Sequence, residues 1–219
     1  MVSNGKEHSV SQGATKAQPV TLSSVIHDRP LDFLYVVFFL IHVPATLLLD
    51  MQSIYPKWLI PEDSPFRILN ELYVNMTHDP VIGGVTGLFG KEALESTFWV
   101  SCFMHLELLI QLPTFLYGAH HLYHNTDLHI LYPLLTIYGA STATTTLPCL
   151  VLVLKTHSAE SVVGSKVALD IATALTDGQR WLLLASYIPF LLIPLGMAVD
   201  MAFRTSAFIK KGLKATKAD

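Results

Sequence analysis

Charge is what this sequence has least of. Asp, Glu, Lys and Arg make up 14% of its 219 residues, while 51% are apolar; soluble domains carry about 25% charged residues. That shortage excludes an ordinary soluble domain and points to a chain solvated largely by lipid. No basic run or patch stands out at a net charge of −3, so no nucleic-acid partner is expected. Cysteine is scarce too. Cys102 and Cys149 both fall in apolar runs, with the spacing of neither a disulfide framework nor a metal site. They are expected as free thiols, and no metal or cofactor is expected. Residues 1–27 lack an apolar h-region, which argues against a cleaved secretory signal. Rich in Ser, Gln, Gly and Lys, they read as a disordered tail. No internal repeat is present.

What is there is four apolar runs long enough to cross a bilayer, roughly Leu31–Leu49, Thr97–Ala119, Ile130–Leu154 and Trp181–Val199. The first is the most informative. Phe33 to Leu49 carries no formal charge with His42 neutral, and at about 1.5 Å per residue it nearly spans a bilayer core. Yet it holds His42 and Pro44 and runs out on Asp50, Gln52 and Pro56. Ionisable groups are costly in a membrane and mark a pocket, a pathway or a proton site.

Orientation follows from Lys and Arg beside the spans. Arg204, Lys210, Lys211, Lys214 and Lys217 follow the last span and put that end in the cytoplasm. An even number of spans returns the other end, with Lys6, Lys16 and Arg29, to the same side. The link between spans one and two then lies on the lumenal side. In it, Ser64 and Pro65 read as an N-cap and a first helical residue. Phe66, Leu69, Leu72, Tyr73 and Met76 recur at helical spacing, which predicts an amphipathic segment at the interface.

Each span carries a proline: Pro44, Pro113, Pro148 and Pro189. Each should free the carbonyl four residues earlier, on Leu40, Leu109, Thr144 and Ala185, kinking the helix. Such kinks are either repaired by neighbouring hydroxyls or bow the helices around a cavity. Glu107 and Gln111 are four apart and share a helix face; a mid-membrane Glu is expected to face inward, protonated or paired. Asp50 is a span-end acid, and Asp79 precedes a proline as turn residues do. Should the loop fold into the bundle mouth, the two could share a proton. The run Thr142, Thr144, Thr145, Thr146 reads first as helix packing. His120, His121 and His124 form one isolated histidine box at an interfacial turn.

HVPATLLLDMQSIYP (His42–Pro56), ELLIQLPTF (Glu107–Phe115), TATTTLP (Thr142–Pro148) and YIPFLLIP (Tyr187–Pro194) together resemble the sigma-2 receptor, or transmembrane protein 97, family. That family belongs to the EXPERA-domain proteins, which include the emopamil-binding sterol isomerase. The resemblance covers residues 31–205, in the right order. It implies an all-α membrane protein: a four-transmembrane-helix bundle with proline-kinked helices and an amphipathic lumenal segment. The divisions expected are a disordered cytoplasmic tail at 1–28, the EXPERA four-helix domain at 29–205 and a basic cytoplasmic tail at 206–219.

The function implied is binding of sterols and lipophilic cationic amines in sterol homeostasis, without turnover. The resemblance further implies an endoplasmic-reticulum location, a homodimer and a Niemann–Pick C1-type sterol transporter as partner. Asp50 matches the carboxylate that pairs with a ligand amine and Asp79 the acid that supports it. His42, Gln52, Glu107, Gln111, Thr145 and Tyr187 match pocket positions. Phe190 stands where the family commonly has a tyrosine, and the terminal Thr-Lys-Ala-Asp is poorer in lysine than the family's retrieval tail. The competing expectation is a sterol double-bond isomerase using Glu107 and a histidine, His42 or His105, as acid and base. A proton-coupled carrier is disfavoured by the lack of repeats.

Overall fold

The computed structural model describes residues 21–56, 58–61 and 63–217. Helix α1 (Leu22–Asp28) opens with a reciprocal cap: the Thr21 hydroxyl accepts from the Ser24 N–H and the Ser24 hydroxyl from the Thr21 N–H. Pairing both donors, together with burial of Val25, makes a helix of the last residues of the stretch expected as tail. Residues 1–20 lie outside the described residues.

Among the described residues, four helices are long and apolar enough to span a membrane: Pro30–Ser53, Phe98–His124, Leu128–Lys155 and Asp177–Thr216. The first is α2 (Pro30–Leu48), started by proline at its first position and finished by a 3-10 turn at Asp50–Ser53. Between spans one and two, α3 (Pro65–Thr77) follows, capped by Ser64 as expected; then come α4 (Pro80–Val85) and α5 (Lys91–Ser96). The second span is α6 (Phe98–Leu106), one π turn at Glu107–Gln111, and α7 (Leu112–His124). The third is α8 (Leu128–Lys155). After α9 (Ala168–Thr173), α10 (Asp177–Thr216) forms the fourth and runs on through most of the expected basic tail. No strand occurs among the described residues.

The spans associate chiefly as two pairs, α2 with α7 and α8 with α10. Close approach in the second pair depends on Gly139, because a Cβ there would collide with the Pro194 carbonyl and the Ala198 nitrogen. Each pair is also bolted by an arginine that binds the open carbonyls at a helix C-terminus. Arg29 donates to Leu122 O at 2.7 Å and Tyr123 O at 2.9 Å, at the end of α7. Arg180 donates to Val153 O and Thr156 O, both at 2.8 Å, at the end of α8.

The interior has two parts. Toward the end where span one begins and span four leaves, Tyr35, Phe38, Phe39, Phe115, Leu131, Leu135, Tyr138, Met197 and Met201 form a solid apolar core. It is closed by an ion cluster: Arg204 binds Asp32 at 2.6 Å and Asp200 at 2.8 Å, and Tyr35 donates to Asp200 at 3.2 Å. Toward the other end, Met51, Val74, Val81, Ile82, Val100, Met104, Cys149, Leu175 and Leu183 form a second core, and this one is hollow. Both cysteines are free, Cys102 exposed and Cys149 buried.

Candidate functional site

All four spans and α3–α4 contribute to a cavity of about 370 Å³ inside the second core, a size typical of small-molecule sites. Span one supplies Ile41, His42, Ala45, Leu49 and Asp50. Span two supplies Val100, Phe103, Met104, Glu107 and Gln111. Span three supplies Thr142, Thr145, Thr146 and Cys149, and span four Ser186, Tyr187 and Phe190. Tyr73, Val81 and Ile82 close it from α3 and α4.

Asp50 stands on the 3-10 turn that ends span one. Its carboxylate opens on the cavity and has no hydrogen-bond or ion-pair partner among the described residues. No Lys or Arg lines the cavity among the described residues. Glu107 and Asp79 both lie close enough to act on Asp50 electrostatically. The hollow is thus largely apolar, and Asp50 and Glu107 stand among its polar groups beside His42, Gln111 and several hydroxyls.

Asp79 sits behind this surface, fully buried. It caps α4: Oδ1 accepts from the Val81 N–H at 2.8 Å and the Ile82 N–H at 3.3 Å. Oδ2 accepts from the Tyr73 hydroxyl at 2.8 Å and the Tyr187 hydroxyl at 3.0 Å. Burial raises its carboxyl above the ordinary range, and these four donors oppose that. Burial beside Asp79 likewise pushes the Tyr73 phenol up, so it stays a donor. The loop does fold into the bundle mouth, as considered from sequence, but Asp79's acceptor sites are spent on tyrosines and amides. No hydrogen bond joins it to Asp50 among the described residues.

Glu107 and Gln111 open and close the π turn, and both face the cavity. A π turn inserts an extra residue into the helical register and is common at functional sites. Glu107 Oε1 accepts from the Thr46 hydroxyl at 2.5 Å and lies 3.6 Å from His42 Nε2. His42 is stacked on Phe115, with ring centroids 4.5 Å apart, and edged by Phe190 at 4.6 Å. Its Nδ1 is buried without a partner among the described residues. Gln111 accepts from the Thr142 hydroxyl at 3.0 Å.

Of the residues singled out from sequence, Asp50, His42, Glu107, Gln111, Thr145 and Tyr187 come together on the cavity wall, with Asp79 one layer behind. Gln52 does not. Its amide donates to the Leu48 carbonyl at 2.6 Å and to the Phe66 carbonyl, tying the end of α2 to α3. His105 faces away, with Nδ1 at 2.6 Å from the Ser101 carbonyl, which leaves His42 as the histidine beside Glu107. Sequence reasoning passed over Thr46, the hydroxyl partner of Glu107, and read Thr142, the partner of Gln111, first as helix packing. Thr46 lies four residues after His42 on the same face, a signal that was available.

A four-span membrane protein with an acid-lined hollow at one end of its bundle is the class these features define. The EXPERA (EXPanded EBP superfamily) family model matches residues 65–201, and the chain belongs to that family. The matched segment begins after span one, so it holds Asp79, Glu107 and Gln111 but not His42 or Asp50. Sigma intracellular receptor 2 of Homo sapiens is 29% identical over 175 residues, covering 79% of this chain and 88% of the human protein. The protein of that name from Xenopus tropicalis is 26% identical over 175 residues, covering 80% of this chain and 90% of its own. Efficient mitochondria targeting-associated protein 19 of Saccharomyces cerevisiae is 27% identical over 168 residues, covering 74% of this chain and 91% of the yeast protein.

Proposed function

We propose that this protein binds sterols and lipophilic cationic amines within an intracellular membrane and acts in sterol homeostasis, with the ligand ammonium on Asp50. The observation that carries this reading is Asp50 itself: a carboxylate without a partner among the described residues, opening on a largely apolar cavity that no Lys or Arg lines among the described residues. Desolvated anions need a counter-charge, and a ligand ammonium supplies one. Asp79 supports from behind, its negative field shared with two tyrosines whose rings shape the cavity wall. The apolar remainder, with Ile41, Leu49, Val100, Phe103 and Phe190, suits a fused-ring or aryl body. The motif resemblance supports a location in the endoplasmic reticulum with both ends cytoplasmic, assembly as a homodimer, and a Niemann–Pick C1-type sterol transporter as partner.

The test is binding of a lipophilic amine to purified protein and to Asp50→Asn. A hydrogen bond to a charged group is worth about 1.5–3 kcal/mol, so affinity should fall roughly tenfold to a hundredfold. Undiminished affinity refutes the ion pair.

One observation favours a second reading, sterol double-bond isomerisation: Glu107 and His42 meet at 3.6 Å inside the same cavity, an acid and a base at one apolar site. Incubation with an unsaturated sterol and product analysis decides between them. Isomerised product that disappears in Glu107→Gln would establish turnover.

A further inference from the structure

A second hollow of about 300 Å³ lies on the outer side of α2, under α3. Pro44 and Leu48 of α2 form one wall, and Leu69, Leu72 and Met76 of α3 the other. The cause of the gap is visible in the bonding. Gln52 bridges the Leu48 and Phe66 carbonyls, and the Asn70 amide donates to the Leu49 carbonyl at 3.4 Å. These bolts fix the first half of α3 to the end of α2. Farther along, α3 turns Asn70, Val74 and Thr77 inward and leaves Leu72 and Met76 each 62% exposed. Much of the apolar stripe read from the sequence therefore stays exposed beside α2 and does not fill a core.

Three side chains, Ala45, Leu49 and Tyr73, line both this groove and the acid-lined cavity. These side chains are the wall between the two hollows, and Ala45 is its smallest member. Their chemistries differ. The inner one offers Asp50; the outer offers hydrocarbon alone, apart from the Tyr73 hydroxyl, which is turned to Asp79.

We infer that the two hollows form one bipartite site for a single-chain cationic amphiphile, a long-chain alkylamine, with its ammonium at Asp50 and its chain passing Ala45 into the groove under α3. The inference rests on the amine-binding reading above and adds the shape of the guest. A saturated chain is slim enough to cross the shared wall at Ala45 from one hollow to the other, and walls without hydrogen-bonding groups give a hydroxylated or charged tail no partner.

The experiment is photolabelling in lipid nanodiscs with two N,N-dimethylalkylamines, each site of labelling read by mass spectrometry. One is long, with a diazirine at its chain end; the other is short, with a diazirine next to the nitrogen. The long probe should label α3 between Leu69 and Met76. That label should drop in Leu72→Trp, which fills the groove from an exposed position, and in Ala45→Leu, which narrows the passage. It should be lost in Asp50→Asn and persist in Leu116→Trp, a bulk control on another exposed face. Leu69→Trp is the alternative filling variant if Leu72→Trp is unstable. Labels from the long chain end on Phe103 or Cys149, or α3 labels that survive Asp50→Asn, overturn the inference. The short probe separates the two levels. If it labels the cavity walls dependent on Asp50 while the long chain end misses α3, the groove assignment falls alone; if it shows no Asp50 dependence, the binding reading falls with it.

Discussion

At the residue scale, the two aspartates of the candidate site live in opposite circumstances. Asp50 has an open carboxylate, while Asp79 accepts from two amides and two phenols. Losing a helix N-cap costs about 0.5–2 kcal/mol, and stranding a buried hydroxyl costs about 1–3 kcal/mol more. Asp79→Ala should therefore lower the unfolding temperature in detergent markedly. Asp79→Asn, which keeps a capping oxygen and lets the tyrosine hydroxyls reorient, should lower it much less. The same residue sets a pH signature. Burial holds the Asp79 carboxyl above its ordinary range when folded. The folded form then takes up its proton at a higher pH than the unfolded chain does, and this group favours folding more as pH falls through that folded value. The wild type should therefore gain unfolding temperature relative to Asp79→Asn as pH falls from neutrality toward the ordinary carboxylate range; parallel profiles would refute this. Legibility at this scale tracked cost. Asp50 and Glu107 were readable because lipid expels acids. Gln52 was misread because an amide at a span end looks the same whether it faces a pocket or bridges two carbonyls. Tyr73 was seen as part of a stripe, since spacing alone does not say which hydroxyl turns inward.

At the element scale, the approach of α8 to α10 is limited by Gly139. In Gly139→Ala the new methyl meets backbone atoms of Pro194 and Ala198, which cannot swing aside as a side chain can. Overpacking of this kind costs about 1–3 kcal/mol. Gly196→Ala, on the same helix pair with open space at its Cβ, should be neutral or slightly stabilising; thermal unfolding of both checks the contrast. The four spans were legible because hydropathy over a bilayer's length is a strong signal. Their ends were less so. Hydropathy fades after Val199, but Ala, Lys and Leu favour helix, and α10 continues to Thr216. The π turn at Glu107–Gln111 left no trace in a reading based on a 3.6-residue period. It surfaced only as the coincidence of two polar residues four apart. The prolines were legible as positions, but not their repair: the hydroxyls of Thr114, Thr144 and Ser186 bond the carbonyls of Ile110, Ala140 and Leu182, and not those of Leu109, Thr144 and Ala185.

At the scale of the whole molecule, Arg29 and Arg204, counted from sequence for orientation, turn out to be joints. Arg29 and Arg180 each close one helix pair, and Arg204 with Asp32 joins the pairs to each other. Asp32 is 3% exposed, and removing one partner of a buried ion pair costs on the order of 3–5 kcal/mol. Asp32→Ala should be the most destabilising of the substitutions considered, and a double-mutant cycle with Arg204→Met should recover part of the loss. Additive losses would show that the pair is not coupled. None of this wiring was legible, because which charges meet depends on how the ends of separate helices come to lie together, and local pattern carries no record of it.

Placing that joint at the solid end has a mechanical corollary. The molecule is built like a pair of tongs: two stiff arms, each riveted by its own arginine, share a pivot at Asp32, Asp200 and Arg204, while the hollow lies toward the tips. Rocking of the arms would leave the rivets and the pivot intact and act at the tips, where the Thr142–Gln111 bond alongside the cavity would have to yield.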